Sequence, residues 1–496
     1  MALPRGVGLA GLVLLPSALG LVTFQGCSSP TPDVADAATD AGADALLRPP
    51  SFDRTETEAE LAPKRAACNF QAGAWPAQTI GKDQPVYDDI PLKHVIVIMQ
   101  ENRSFDHYLG RLVARGYYQG GDFSPGGSGF GASDQVDVPP KDWALPDGNG
   151  NMVAPHPDDR WCYGVNHGWN DMHEDWNDGK NDRFVINNQP GGDKAMFYED
   201  DSVIPFYYAL ADTFAIGDRY FGSVLTSTWP NRLYVMAATS FGNGDNSFVR
   251  QDTIDHAALQ IFDLLDAAGH TWKDYTDGPH QLSFFPTFGF KRSTLDRYKN
   301  IKCDLMNDIQ NDTLPEVSIV MGSEVGETSD EGPSALPGIG GVMVEKIIRA
   351  LWASPAWKST AVFITYDENG GLADHVPPPS ACKPDDLPPI DEKNAPLPGA
   401  FDRLGFRVPF IVVSPFAKKH YVSHVVHDHS SIARFIEARF GLPAMTARDA
   451  NAAPPLEMFD FQNPPFLTPP TISQTTTVDP TILTKCGQEH VKFGCP

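Results

Sequence analysis

The chain has 496 residues, 41% of them hydrophobic and 20% charged, with a formal net charge of −25. That composition is ample for a large globular core. The acidic balance argues against DNA or RNA as a partner, because nucleic acids are held by basic stripes.

The opening segment, "MALPRGVGLAGLVLLPSALGLVTFQGCSSP", places one basic residue, Arg5, before an apolar run that reaches Cys27. It reads as an export signal over residues 1–27 rather than a membrane span. Gly26-Cys27-Ser28-Ser29 resembles a bacterial lipoprotein signal, although Phe24-Gln25 departs from the usual Leu-Ala-type box. The expectation is a cell-envelope lipoprotein anchored through Cys27. The alternative is an ordinary cleaved signal and a secreted or periplasmic protein. Residues 28–66 begin Ala/Asp/Pro-rich and acidic and read as a disordered tether. Residues 67–496 are expected to form a single domain, with a Pro/Thr-rich tail from Ala452 wrapped around it. Six more cysteines follow Cys27: Cys68, Cys162, Cys303, Cys382, Cys486 and Cys495. None forms a Cys-x-x-Cys pair, which argues against a zinc ribbon and for disulfides in an exported chain. Cys486 and Cys495 are close enough in sequence to clip the tail.

Along the domain, short runs rich in Val, Ile or Phe predict strands at 94–99, 317–321, 361–366 and 408–413. They are apolar throughout, as in a parallel sheet covered on both faces. Helical spacing predicts helices at 256–269, 340–354 and 428–441, and Trp229-Pro230 marks another helix start. Strands alternating with helices predict a mostly parallel α/β sheet. The Gly-, Pro- and Asp-rich stretches 116–200 and 376–400 read as long insertions over the site.

In such a sheet, functional groups sit beyond the carboxyl ends of strands. Glu101-Asn102 follows the first strand, Asp367-Glu368 follows "AVFITY", and Ser414 follows "VPFIVV". The first two pairs bring three carboxylates and an amide oxygen to one edge, where they repel unless a cation neutralises them. An all-oxygen set favours a hard divalent ion such as Mg, Ca or Mn. Each piece also has a plainer reading. Glu101-Asn102 can begin a helix capped by Ser104, Asp367–Gly371 can be a turn, and Thr228 can be a simple cap. Thr228 can equally be a nucleophile facing an anion at a helix start.

Together the motifs "ENRSFDHYLG", "TWPNRLY", "TYDENGGLADHVPPP", "RVPFIVVSP" and "DHSSIARFIEARFGL" resemble the bacterial phosphoesterase family of phospholipases C and related acid phosphatases. The resemblance implies an alkaline-phosphatase-like three-layer α/β/α sandwich. It implies that Glu101, Asn102, Asp367 and Glu368 hold a metal, and that Thr228 is the nucleophile and also touches the metal. "HGWNDMHEDWNDGKNDRF" is similar to the family's His/Trp segment and places His167 near the phosphate; His375 of "DHV" is expected near the leaving group. Asn231, Trp169 and Trp176 are expected to contact substrate, the two Trp rings, with Trp229, as a cage for a choline cation. Where the family has Gly-Pro before the nucleophile, this chain has Thr226-Ser227, which makes Ser227 a rival hydroxyl. The implied activity is metal-dependent, phospholipase C-like cleavage of phosphate esters through a phospho-threonine. The alternatives are a broad acid phosphatase and a surface lipoprotein that only binds.

Overall fold

The structure, a computed structural model, describes residues 46–118, 136–158, 163–246, 260–278, 295–322, 329–332, 335–479 and 481. The export segment lies outside them, as do Cys27, Cys162, Cys486 and Cys495.

Eight strands form the central sheet. In chain order they are β1 (His94–Gln100), β2 (Ala215–Gly217), β3 (Trp272–Thr276), β4 (Tyr298–Lys299), β5 (Val317–Met321), β6 (Thr360–Tyr366), β7 (Phe410–Val413) and β8 (Tyr421–Ser423). Across the sheet the order is β8-β2-β7-β6-β1-β5-β3-β4. All pairings are parallel except those of β7, which runs antiparallel to both β6 and β2. The central pair β1 and β6 is buried along nearly its whole length, which explains why it reads as apolar without alternation.

Four helices matter for the site and its support: α1 (Glu58–Ala66), α2 (Thr228–Ala237), α3 (Pro337–Trp352) and α4 (His429–Phe440). The last ends at Gly441, whose φ of 66° is the left-handed cap that glycine supplies without a Cβ penalty. Ile432, Phe435 and Ile436 on α4 are buried in the main core, as their spacing predicts.

Two expectations change. The tether was expected to run to residue 66, yet α1 closes that stretch with a capping box at Thr57, and Leu47 N–H donates to Ala267 O. The helix expected over 256–269 is present as Ile261–Ala268, and residues 256–259 lie outside the described residues. Because β7 is antiparallel, Ser414 leaves the sheet at the edge where β6 begins, and its Oγ donates to Thr360 O at 3.0 Å. It therefore does not join Asp367. Cys68 is bonded to Cys382, tying the N-terminal segment to the 376–400 stretch, and Cys303 is disulfide-bonded too. Among the described residues no helix is long and apolar enough to cross a membrane. In the tail, Trp357 Nε1 donates to Phe466 O, and Arg349 on α3 donates to Ile472 O and Gln474 O.

Candidate active site

β1 and β6 are adjacent and parallel, with Gln100 paired to Tyr366, so the residues after them emerge side by side. Asn102 takes φ of 61°, a left-handed conformation that Asn tolerates better than most residues. Its N–H points at Asp367 Oδ1 (3.4 Å), which also accepts from Glu368 N–H (2.8 Å). Glu101 N–H donates to Asp330 Oδ1 at 2.7 Å, and Gly370 N–H to Glu368 Oε2 at 2.6 Å. Two glycines make this contact possible. At Gly370 (φ 64°) a Cβ would stand 2.5 Å from Asn102 O, and at Gly371 (φ 69°) 2.3 Å from Asn166 O.

Thr228 opens α2, after a loop held from below by Asn231. The Asn231 carboxamide accepts from the N–H groups of Ser223 (2.8 Å) and Val224 (3.0 Å). It donates to the carbonyls of Val224, Thr226 and Ser227. Asn231 is fully buried, and both ends of its side chain are engaged, so it shapes the Thr228 loop instead of facing substrate as expected. The helix start also offers less to a phosphate than its sequence suggests. Pro230 has no N–H, and the Trp229 N–H is donated to Asn246 Oδ1 at 2.9 Å.

One turn after Thr228, on the same helix face, stands Arg232. Its Nε donates to Asp367 Oδ2 (2.9 Å) and its Nη2 to Glu101 Oε1 (2.6 Å), with Asp330 Oδ2 at 3.7 Å. This guanidinium ties the Thr228 helix to the ends of β1 and β6. Burial opposes its charge, but Glu101, Asp367 and Asp330 outweigh burial and raise its pKa. Burial also lifts the Asp367 carboxyl above the usual carboxylate range, against the pull of Arg232. The sequence reading named neither Arg232 nor Asp330. The four-residue step from Thr228 to Arg232 is a signal for the first; nothing in the irregular stretch around Asp330 marks the second.

The two expected histidines part company. His167 Nδ1 lies 2.6 Å from Val165 O, which makes it the donor, and Nε2 faces Asn102 Nδ2 (3.4 Å) and Glu368 Oε1 (3.7 Å). His375 instead belongs to a buried charge cluster. Its Nδ1 pairs with Asp106 Oδ2 at 2.7 Å and its Nε2 with Asp137 Oδ1 at 3.1 Å. Burial disfavours its charge, yet Asp106 and Asp137 raise its pKa to about 9. With both ring nitrogens given to carboxylates, it has no proton to spare for a leaving group.

The tryptophans are also occupied. Trp169 is buried, donates Nε1–H to Pro398 O at 2.8 Å, and stacks on His173 with Phe401 edge-on. The Arg403 guanidinium already covers the Trp176 ring at 4.1 Å. Trp169 is therefore closed to a choline cation, and one face of Trp176 is taken by Arg403, so the two rings do not stand as the open cage expected.

The donor set of Glu101, Asn102, Asp367 and Glu368 fits a hard divalent ion. All are oxygen donors, and Asn102 Oδ1 is buried without a hydrogen-bond partner. Among the described residues, Asp106, Asp374 and His375 are the one group of three acidic or histidine side chains whose ligand atoms all lie within 4.8 Å of one another. Arg407 donates to Asp374 Oδ1 and Asp106 Oδ1, each at 2.8 Å, and so competes with an ion there, as Arg232 does at Glu101 and Asp367.

A mostly parallel α/β sheet thus carries a carboxylate-rich centre at its strand ends, with a hydroxyl at an adjoining helix start and a histidine beside the carboxylates. Residues 92–443 match the Phosphoesterase family, and the chain belongs to that family. It is thus by class a phosphoric ester hydrolase. Among its relatives, the non-hemolytic phospholipase C of Burkholderia pseudomallei is 31% identical over 410 residues, covering 70% of this chain and 55% of that protein. The phospholipase C B of Mycobacterium tuberculosis is 32% identical over 417 residues, covering 75% and 78%. The chain thus spans just over half the length of the Burkholderia relative. A solved protein of the alkaline phosphatase superfamily from Vibrio parahaemolyticus is 10% identical, with a TM-score of 0.38, and the match covers 80% of this chain and 78% of that one.

Proposed function

We propose that the protein is a metal-dependent phospholipase C-type diesterase that works through a phospho-threonine on Thr228. The observation that carries this reading is the convergence of Glu101, Asn102, Asp367 and Glu368 beside the Thr228 helix, with the unpartnered Asn102 Oδ1 among them. A divalent ion bound there would offset the phosphate charge and lower the pKa of the attacking hydroxyl. Thr228 Oγ, its proton lost to solvent, attacks phosphorus, and the bond to the departing alcohol breaks. His167, its Nδ1–H donated to Val165 O, acts as the imidazolium: it gives a proton from Nε2 to the leaving oxygen and takes one back from the water of the second step. Water then cleaves the phospho-threonine, so configuration at phosphorus is retained overall. Two relatives named as phospholipases C support the diester choice. The apolar N-terminal run and Cys27 support an exported enzyme held at the envelope by lipid.

The test is product analysis on phosphatidylcholine. Diacylglycerol and phosphocholine are expected. Inert phosphatidylcholine, with free phosphate released only from monoesters, would instead mean an acid phosphatase.

A further inference from the structure

Arg232 is spent entirely on the protein. Nε and Nη2 hold Asp367 and Glu101, Nη2 lies near Asp330, and Nη1 faces Met321 Sδ at 3.9 Å. The side chain is 2% exposed, so no edge of it is open to a phosphate.

We propose that Arg232 is a built-in counter-ion that limits this centre to one divalent ion. It is a positioning residue, holding one oxygen of Glu101 and one of Asp367 away from that ion. The inference rests on the reading of the centre as a metal site. Glu101, Asp330, Asp367 and Glu368 gather four carboxylates at the strand ends, all of them buried. Buried carboxylates destabilise the fold unless cations face them. One divalent ion offsets two of the charges. The guanidinium offsets a third from a fixed place, and its planar fork spans Glu101 and Asp367 as a second ion would. Asn102 Oδ1, a buried acceptor with no hydrogen-bond partner, is a further oxygen available to the remaining ion. Thr228 stands one turn before Arg232, so the same helix carries the nucleophile and the charge that takes the second ion's place. Without Arg232, the gap between Glu101 and Asp367 keeps two carboxylate oxygens that a second hard cation bridges readily.

The test uses the full chain, freed of metal and reloaded with Mn²⁺. Bound manganese per chain is measured by elemental analysis, and its state by electron paramagnetic resonance. Wild type is expected to bind one ion with the six-line spectrum of an isolated centre. Arg232→Met, similar in length and uncharged, is expected to bind two, with the broadened signal of a coupled pair. Arg232→Lys, which keeps the charge, is expected to bind one. One ion in both wild type and Arg232→Met overturns the proposal and leaves the metal site standing. No ion in wild type overturns the metal site and the proposal with it. If Arg232→Met is unfolded when purified, it is refolded against rising Mn²⁺. Recovery of native circular dichroism at two ions per chain supports the proposal, and no recovery at any concentration overturns it.

Discussion

Asn231 separates two views of this site, one in which the residue touches substrate and one in which it builds the Thr228 loop. The substitution Asn231→Ala removes the acceptor for the Ser223 and Val224 amides and the donor for the carbonyls of Val224, Thr226 and Ser227. The stranded amides dominate the cost, because a carbonyl with two lone pairs tolerates loss better than an N–H. Each buried, unsatisfied group costs about 1–3 kcal/mol, so two amides give about 2–6 kcal/mol, less where the loop opens to water. The loop then no longer holds Thr228 at one place, which lowers kcat while KM changes little. Urea unfolding and steady-state kinetics on the same preparations read both effects. An unchanged unfolding midpoint together with a raised KM would refute the loop-building role and restore Asn231 as a substrate contact.

Three further outcomes are expected. Thr228→Ala should abolish acid-trapped phosphoenzyme and slow turnover by roughly 10³-fold or more, about 4 kcal/mol of barrier, whereas Ser227→Ala should keep the label; label recovered on Ser227 would show that the nucleophile is the neighbouring hydroxyl. His375, with its pKa raised to about 9, stabilises the fold fully below about pH 6.5 and loses that contribution, about 3 kcal/mol, as pH rises through 9; stability measured from pH 6 to 10 should show this loss in wild type and not in His375→Gln. Cys27→Ala should move the protein from the membrane fraction to the soluble one, and its retention in membranes would place any anchor elsewhere.

The readable parts of this molecule were those with a period or a fixed local grammar. β1, β5, β6 and α4 were legible because an apolar run or stripe is dictated by burial on their own faces. Their ends were legible too, which is why the sequence alone places Glu101-Asn102 and Asp367-Glu368 together. The direction of β7 was not. Its four residues, Phe410–Val413, are apolar whichever way the strand runs, and only the pairing with β6 and β2 decides that Ser414 exits at the opposite edge. The short strands β2, β4 and β8, two or three residues each, carry too little pattern to register.

Site residues divided along a similar line. A side chain's type says what it can do, and its neighbours say what is left for it to do. His375, Asn231, Trp169 and Trp176 all have the right chemistry for a phosphodiesterase pocket. Each is already committed, to Asp106 and Asp137, to the 223–227 loop, to Pro398 O, or to Arg403. Those partners lie far away in sequence or sit in irregular loops, so no local pattern announces them. Asn102 Oδ1 is the opposite case, a buried acceptor in a crowded polar centre with nothing to accept from. Other buried polar atoms of this protein also lack a hydrogen-bond partner, so what sets Asn102 Oδ1 apart is its place among carboxylates. The oxygen-rich company of this atom, with the Glu101 and Asp367 carboxylates spanned by Arg232 beside it, is what favours the ends of β1 and β6 as the place for the proposed chemistry.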